Sequence, residues 1–288
     1  MERILRDILT PIRSDGKADN VLAHAAALGR RYNSHVSAVH CRPRPEDMLP
    51  YGVPIPRFLK EQIAKSATSL ADSDEAELRS EFDRIIAKYG LSFSETPDYT
   101  RPTASWREVM GKQADIMRSY ARLANMVVVA QPDHELNLGS NTLKAALFHS
   151  GRPVMMCPPR EAPPETLGAR VAIAWNGSLE ASRAVNLCRI LIRCADSITI
   201  LTTGRETPGA TADDLVAYLG RRGISAGIDR FETRGRNVGQ ALLDHAGEAG
   251  ADTLIMGAYG DSHERETIFG GNTQTIVDHA KMPVVFVH

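Results

Sequence analysis

The chain has 288 residues, of which 43% are hydrophobic and 24% charged, and its formal net charge is −1. The length predicts about two domains, and the composition is that of an ordinary globular protein. The balanced charge gives no electrostatic reason to expect a nucleic acid or an anionic membrane as a partner. Every apolar run is too short to cross a bilayer, so no membrane span is expected.

The cysteines and the first residues bear on compartment and metal content. Cys41, Cys157, Cys188 and Cys194 show no C-x-x-C pairing, and no histidine cluster has the spacing of a zinc site. Reduced thiols in a reducing compartment are therefore expected. Residues 1–7 lack the apolar core of a signal peptide, so the sequence predicts a cytoplasmic protein with no metal site.

The first half alternates strand and helix patterns around a proline-rich interruption. The predicted elements are a strand at Ile4–Ile12, a helix at Lys17–Tyr32, a strand at His35–Cys41, a helix at Leu59–Tyr89, a strand at Leu91–Thr100, a helix at Ser105–Leu123 and a strand at Met126–Ala130. Five prolines exclude regular structure in segment 43–58. Two interpretations of that segment stay open: an ordered cap over the sheet, or a loop that forms a lid or contacts a partner.

A second proline cluster, at Pro158, Pro159, Pro163 and Pro164, marks residues 158–169 as a linker between domains at 1–157 and 170–288. The second domain repeats the alternation, with strands expected near 170–175, 197–203, 224–232, 252–257 and 283–287. This alternation predicts a parallel sheet with right-handed crossovers. In such sheets a ligand lies beyond the carboxyl ends of the strands.

A glycine pattern follows one of these strands. The run Thr253–Met256 ends in Gly257-Ala-Tyr-Gly260, and Gly270-Gly271-Asn-Thr273 comes next. Glycines let backbone N–H groups approach an anion, and a helix that begins at Asn272 would add free donors and a positive dipole end. The pattern is neither a Walker A loop nor a G-x-G-x-x-G turn. Taken alone, tight turns around a flexible loop explain it equally well.

The spacing Gly257-x2-Gly260-x9-Gly270 resembles the phosphate-binding signature of the universal stress protein family. Residues 171–184 resemble that family's first strand with the loop into its first helix, and residues 282–287 resemble its last strand. The first half resembles the second, with Pro153-Val matching Pro283-Val. The resemblance implies an α/β fold of two tandem doubly wound, mainly parallel five-stranded sheets flanked by helices, Rossmann-like and of the adenine nucleotide α-hydrolase type.

In that family ATP or AMP, with or without Mg²⁺, lies between the loop after the first strand and the glycine loop. The resemblance places the adenosine at Ala174, Trp175 and Asn176, with Thr203 at the adenine edge. It places the phosphates beside Met256, Gly257, Gly260, Gly270, Gly271, Asn272 and Thr273.

This sequence departs from the family pattern at several of these positions. The family usually has Asp where Asn176 stands, and a Ser or Thr hydroxyl where Gly271 stands. Asp261 occupies a position where a basic residue is common, although His263 and Arg265 add positive charge nearby. A carboxylate at 261 would repel phosphate, so these departures weigh against a full triphosphate.

The first half lacks the glycine pattern, so the nucleotide is expected in the second domain alone. Gln131-Pro132-Asp133-His134 matches Gly257–Gly260 in this alignment, Ser140-Asn141 faces Gly270-Gly271, and Arg13-Ser14 replaces or adjoins Trp175-Asn176. Side chains would then stand where backbone must touch phosphate. The first domain becomes a structural partner with a degenerate site, or a pocket for a different ligand.

The apolar strands Val154–Met156 and Val284–Phe286 are expected to pair, which makes the two domains an internal pseudo-dimer. By resemblance, this contact stands where the family's homodimers pair. A further homodimer of two whole chains stays open.

Three functions remain open at this point. The leading hypothesis is a cytoplasmic stress-response protein that binds an adenine nucleotide and acts through a change of conformation or partner. The alternatives are a slow nucleotide hydrolase, with Asp261 and His263 as candidate groups, and a scaffold or small-ligand protein that binds no nucleotide.

Enzyme signals in the sequence are few. There is no G-x-S-x-G elbow, and Asn176-Gly-Ser178 is typical of a helix N-cap. His149, His245 and His279 lie on predicted helices without a paired acid at useful spacing. Core packing and contact with a nucleobase are equally good explanations of Trp175.

Overall fold

The structure, a computed structural model, describes residues 5–13, 18–42, 44, 56–136, 138–159, 162–205, 208–233, 235–258 and 271–288, with the backbone alone at 60–74. Within these residues, eleven strands form one sheet that carries helices on both faces. The question of a cap or a lid at 43–58 falls outside the described residues, apart from positions 44 and 56–58.

The strands are numbered in chain order. They are β1 Asp7–Ile12, β2 His35–Arg42, β3 Ser92–Phe93, β4 Thr103–Met110, β5 Met126–Ala130, β6 Val154–Cys157, β7 Arg170–Ala174, β8 Ser197–Thr202, β9 Gly227–Arg230, β10 Thr253–Gly257 and β11 Val284–Val287. Across the sheet they lie in the order β3-β4-β2-β1-β5-β6-β11-β10-β7-β8-β9.

The helices are numbered in the same way. They are α1 Ala18–Tyr32, α2 Arg57–Lys88, α3 Gln113–Tyr120, α4 Ser140–His149, α5 Leu179–Leu187, α6 Arg189–Cys194, α7 Ala212–Gly220, α8 Val238–Glu248 and α9 Gly271–His279. No helix in the described part of the chain is both long enough and apolar enough for a bilayer crossing.

Both halves have the same strand order. Read towards the middle of the sheet, it is β4-β2-β1-β5-β6 in the first half and β9-β8-β7-β10-β11 in the second. All neighbours within a half are parallel, as strand–helix–strand crossovers require. The predicted doubly wound α/β class is confirmed, although the two expected sheets form one continuous sheet and β3 extends its first edge.

The two halves meet at an antiparallel strand pair, β6 with β11. Val154 lies opposite Phe286, Met155 opposite Val285 and Met156 opposite Val284. All are at most 1% exposed. This is the pairing expected from the matching Pro-Val strands.

Each face of the sheet carries one apolar layer that crosses this junction. On one face, α1, α2, α5, α6 and α7 pack over a cluster that runs from Leu5 in the first half to Val287 in the second. On the other face, α3, α4, α8 and α9 cover a cluster that runs from Leu9 to Phe286. The two halves therefore share their core, and neither buries its apolar surface independently.

The helix predicted at Ser105–Leu123 is wrong in its first part. Residues 103–110 form β4, which pairs with the whole length of β2, and α3 begins only at Gln113. The predicted strand at Leu91–Thr100 is reduced to β3. Sequence patterns miss β4 because two of its buried side chains are polar. The ring of buried His35 hydrogen-bonds the hydroxyls of Thr103 and Ser105, both at 2.9 Å. Strand pairing overrides the local helical pattern here.

One buried carboxylate ties the connection between the halves to the sheet. Asp252, 4% exposed, precedes β10. It accepts backbone hydrogen bonds from Gly168 at 2.7 Å, Ala169 at 3.2 Å and Arg170 at 2.9 Å. The hydroxyls of Thr166 and Thr253 donate to it as well. A buried carboxylate with this many donors fixes where β7 enters the sheet.

We expect Asp252→Ala to lower the free energy of unfolding by about 2–4 kcal/mol, because two buried N–H groups and one partly buried N–H group each lose a hydrogen bond. Urea unfolding followed by circular dichroism measures this loss. The control is Glu248→Ala, whose side chain is 74% exposed, with an expected change within about 0.5 kcal/mol. Equal stability of the two variants would contradict the assigned role of Asp252.

Candidate functional site

The second half contains a cavity of about 360 Å³ at the carboxyl ends of β7, β8 and β10. From β7 the chain crosses to β8 on one side and later returns to β10 on the other. The cavity therefore lies at the point where the direction of winding reverses, the usual ligand position in open α/β sheets.

Most of the sequence-predicted site residues line this one cavity. They are Ala174, Trp175, Asn176, Thr203, Met256, Gly257, Asn272 and Thr273. Gly271 is the first residue of α9, beside Asn272 and outside the lining. Gly260 and Gly270 lie outside the described residues, as do Asp261, His263 and Arg265.

Sequence reasoning missed several lining residues. They are Ser178, Glu180, Ala181, Leu201, Thr202, Val238 and Leu242. Val238 and Leu242 lie one turn apart on α8, directly after its N-cap Asn237. An apolar pair at i and i+4 in the first turns of a helix was the available signal, but it equally fits ordinary core packing.

The loop after β7 is held by its own side chains. Asn176 accepts a hydrogen bond from the backbone N–H of Ser178 at 3.0 Å through its Oδ1 atom. The Ser178 hydroxyl caps α5 by accepting from the Ala181 N–H at 3.2 Å. The predicted N-cap is confirmed. The carboxamide oxygen of Asn176 is used in this turn, so its N–H donors are the part that a ligand can meet.

Trp175 combines both roles that the sequence left open. Its side chain belongs to the core, with 8% of the residue exposed, and its indole N–H donates to the Ala210 carbonyl at 2.9 Å. The residue also lines the cavity. With its polar atom already bonded, the indole can offer a ligand only apolar contact.

Gly257 is required by packing. A Cβ atom at this position would lie 2.5 Å from the Glu180 carbonyl carbon and 2.6 Å from the Ala181 nitrogen. The start of α5 thus lies directly against the end of β10. This glycine lets a helix approach the strand, so the protein needs it with or without a ligand.

A second close approach positions the beginning of α9. A Cβ atom on Gly239, in α8, would collide with the backbone oxygen of Asn272. The N-termini of α8 and α9 are therefore in contact at the cavity, where Asn272 is exposed and Thr273 is buried. The N–H groups in the first turn of a helix have no partners within that helix, and the dipole makes this end positive.

The described lining carries one charged side chain, that of Glu180. Neutral donors and the α9 terminus supply the remaining polarity. An anion in this cavity is therefore held by backbone dipoles, and it must be oriented away from the Glu180 carboxylate.

The described residues leave little space at the equivalent place in the first half. A cavity of about 20 Å³ remains there, lined in part by Pro11, Arg13, Ala130, Gly139 and Thr142. A Cβ atom on Gly139 would lie 3.2 Å from Pro132 and 3.6 Å from an Arg13 guanidinium nitrogen. Arg13 and Pro132 thus take up the space that is open in the second half.

The structural register corrects the sequence alignment of the halves by one residue. Ala130 pairs with the last residue of β6, as Gly257 pairs with the last residue of β11, so Ala130 and not Gln131 matches Gly257. Likewise α4 begins at Ser140 and α9 at Gly271, which aligns these two positions. The first half therefore keeps a Gly-Ser-Asn-Thr helix start while its cavity is filled.

The expectation that His245 lacks a paired acid is wrong. Its Nδ1 atom lies 2.8 Å from Asp229 Oδ2, and its ring stacks on Phe231 with centroids 4.2 Å apart. Asp229 lies on β9, so folding and not sequence spacing creates the pair. Neither residue lines the cavity. No group of three or more His, Cys, Asp or Glu side chains among the described residues is placed to hold a metal ion.

Residues of the first half hold the second half of α9. The buried Gln131 amide donates to the Val277 carbonyl at 2.6 Å. The His134 ring lies 2.7 Å from Asp278 Oδ1, which also accepts from Gln274 at 2.5 Å. The helix whose N-terminus borders the cavity is thus fastened to the other half of the chain.

We expect Gly257→Ala to lower the free energy of unfolding by about 1–3 kcal/mol, because the new methyl group collides with the α5 backbone. Thermal or urea unfolding measures the loss. Gly271→Ala is the matched control, since a Cβ atom there meets no atom of the described residues within 4 Å. Its stability should be unchanged or slightly higher, and a cost equal to that of Gly257→Ala would refute the packing argument.

Comparison with known proteins relates part of this chain to a known family. Residues 195–288 match the model of the universal stress protein family. No curated protein matches the chain at a significant level. Among solved structures, a universal stress protein from Archaeoglobus fulgidus DSM 4304 is similar, with 15% identity, 99% of this chain and 97% of that chain covered, and a TM-score of 0.69.

A putative universal stress protein from Pseudomonas aeruginosa UCBPP-PA14 is similar as well, with 13% identity, 99% and 94% coverage, and a TM-score of 0.54. At these identities the structural matches show the fold, and they show it over the whole chain. The predicted resemblance is confirmed: residues 195–288 carry a universal stress protein domain, and the complete chain has the fold of the universal stress proteins, consistent with two such domains in tandem.

Proposed function

We propose that the chain binds one adenine nucleotide, ATP or AMP, in the cavity of its second half, and that binding acts through conformation or partner choice. The observation that carries this proposal is the contrast between the halves. A cavity of about 360 Å³ opens at the strand ends of one half, and about 20 Å³ remains at the equivalent place in the other. Small-molecule sites have volumes of about 300–1,000 Å³, so of these two equivalent places only the one in the second half has room for a nucleotide.

The lining suggests the orientation of the nucleotide. The adenosine lies against Ala174 and Trp175, with Val238 and Leu242 supplying further apolar contact. The N–H donors of Asn176 face the ribose. The phosphates lie at the N-terminus of α9, where the first backbone N–H groups have no partner within the helix.

The charge of the lining favours few phosphates. Glu180 is the one charged side chain among the described lining residues, and it repels additional negative charge. AMP therefore fits the described residues better than ATP does. Mg²⁺ would add the positive charge that a triphosphate needs here.

The attachment of α9 suggests how binding is transmitted. A phosphate at its N-terminus acts on a helix that Gln131 and His134 hold from the first half. Because the helix is rigid, a small shift at the cavity is passed to the junction between the halves. The first half thereby gains a role without a ligand of its own.

We expect titration of the protein with AMP or ATP, followed by isothermal calorimetry, to give one site per chain. Asn272→Asp should weaken binding at least about tenfold, because a carboxylate at the start of α9 repels phosphate. The matched control is Asn141→Asp, the same change at the same position of α4, which should leave the affinity unchanged. Two equivalent sites, or an equal effect of both variants, would contradict the proposal.

The transmitted change predicts a hydrogen-exchange pattern. Saturating AMP should slow amide exchange in α9 and also in residues 126–136 of the first half, whereas α7 should stay unchanged. Mass spectrometry of peptides measures this. If exchange slows only in the residues around the cavity, the nucleotide binds without changing the first half, and the proposed transmission through α9 is wrong. Nucleotide turnover above that of the Asn272→Asp variant would favour the hydrolase alternative.

A further inference from the structure

We propose that the chain has a second binding site, for a phosphorylated small molecule, at the opposite end of the sheet from the nucleotide cavity. A larger cavity of about 630 Å³ lies there. Both halves form it: the start of β1 and the end of α1 from the first, and the end of α6 with the turn into β8 from the second. The lining residues on which the argument depends are Arg6, Arg31, Tyr32, Tyr99, Arg193 and Asp196.

The charge of this cavity differs from that of the whole chain. The described lining contains three arginines and one acid, Asp196, so it carries an excess of two positive charges. The whole chain carries a net charge of −1. A phosphate group carries about two negative charges and three strong acceptor oxygens. Clustered guanidinium groups match it in geometry, because each offers paired N–H donors.

One wall of the cavity is fixed by hydrogen bonds between the halves. The Arg31 guanidinium donates to the Cys194 carbonyl at 2.9 Å and to the Gly168 carbonyl at 3.3 Å. Behind it, Tyr32 is buried against the chain connection, and burial raises the pKa of its phenol. The Arg31 side chain is therefore already ordered before a ligand binds, so binding to its positive charge does not cost the entropy of ordering it.

The two other arginines differ in how they are held. The Arg6 guanidinium lies over the Tyr99 ring, 4.7 Å from its centroid, and Tyr99 in turn donates to Asp7 at 3.2 Å. Arg193 is exposed, and it forms no ion pair or hydrogen bond within the described part of the chain. A ligand phosphate would give Arg193 a partner and would connect it to Arg6 and Arg31.

The volume selects the size of the ligand. A single phosphate ion would leave most of 630 Å³ to water. A cavity of this size and charge fits a diphosphate or a phosphorylated metabolite, with Tyr99 and Asn33 at its rim for polar contact. Since both halves supply arginines, such a ligand would also connect them.

The test uses the full chain with inorganic pyrophosphate as the probe, measured by calorimetry at low ionic strength. Arg193→Gln should weaken pyrophosphate binding at least about tenfold. The matched control is Arg221→Gln, which removes another exposed arginine at the end of a helix, α7, outside the cavity. Its pyrophosphate affinity should match that of the unchanged chain.

Both variants should show the melting temperature of the unchanged protein, since both side chains are exposed. No pyrophosphate binding at millimolar concentration, or an equal loss in both variants, would overturn the proposal. AMP titration of the same variants distinguishes the two sites, because Arg193→Gln should not change the affinity for AMP. The pyrophosphate result stands even if AMP fails to bind.

Discussion

The antiparallel contact of β6 with β11 is the interaction on which the rest of this molecule depends. Each strand is only four residues long and fully buried, and each would otherwise be the apolar edge of the sheet of its own half. Joined, they make one sheet whose two apolar layers run without interruption across both halves. The chain connection, held by Asp252, and the bonds from Gln131 and His134 to α9 reinforce the same junction.

Much of this architecture could be predicted from the sequence because its strands are continuous apolar runs. Val127-Val-Val and Val284-Val-Phe are typical of strands that are covered on both faces of a sheet. The glycine turn after Met256 and the N-cap at Ser178 are local signals, and both lie at the cavity between the ends of β7, β8 and β10. The strand at Thr103–Met110 was missed because two of its buried positions are polar, and their partner, His35, is far away in sequence.

The missed parts of the site have the same origin. Gly239 lets α8 touch the start of α9, and Val238 and Leu242 line the cavity beside this contact. His245 finds its acid on a neighbouring strand, and the arginine-lined cavity combines residues from four separate segments. Such contacts are set by tertiary packing, and no periodicity along the chain records them.

The internal junction also has an evolutionary consequence. In a symmetric dimer, any substitution appears in both subunits, so the two sites can only change together. Here the halves are encoded separately, and Arg13 and Pro132 could fill one site while the other stayed open. Covalent fusion thus frees one copy to drift while the shared core preserves the fold. Under the proposed function, the chain has one nucleotide site and binds its ligand at a single threshold, without cooperativity between equivalent sites.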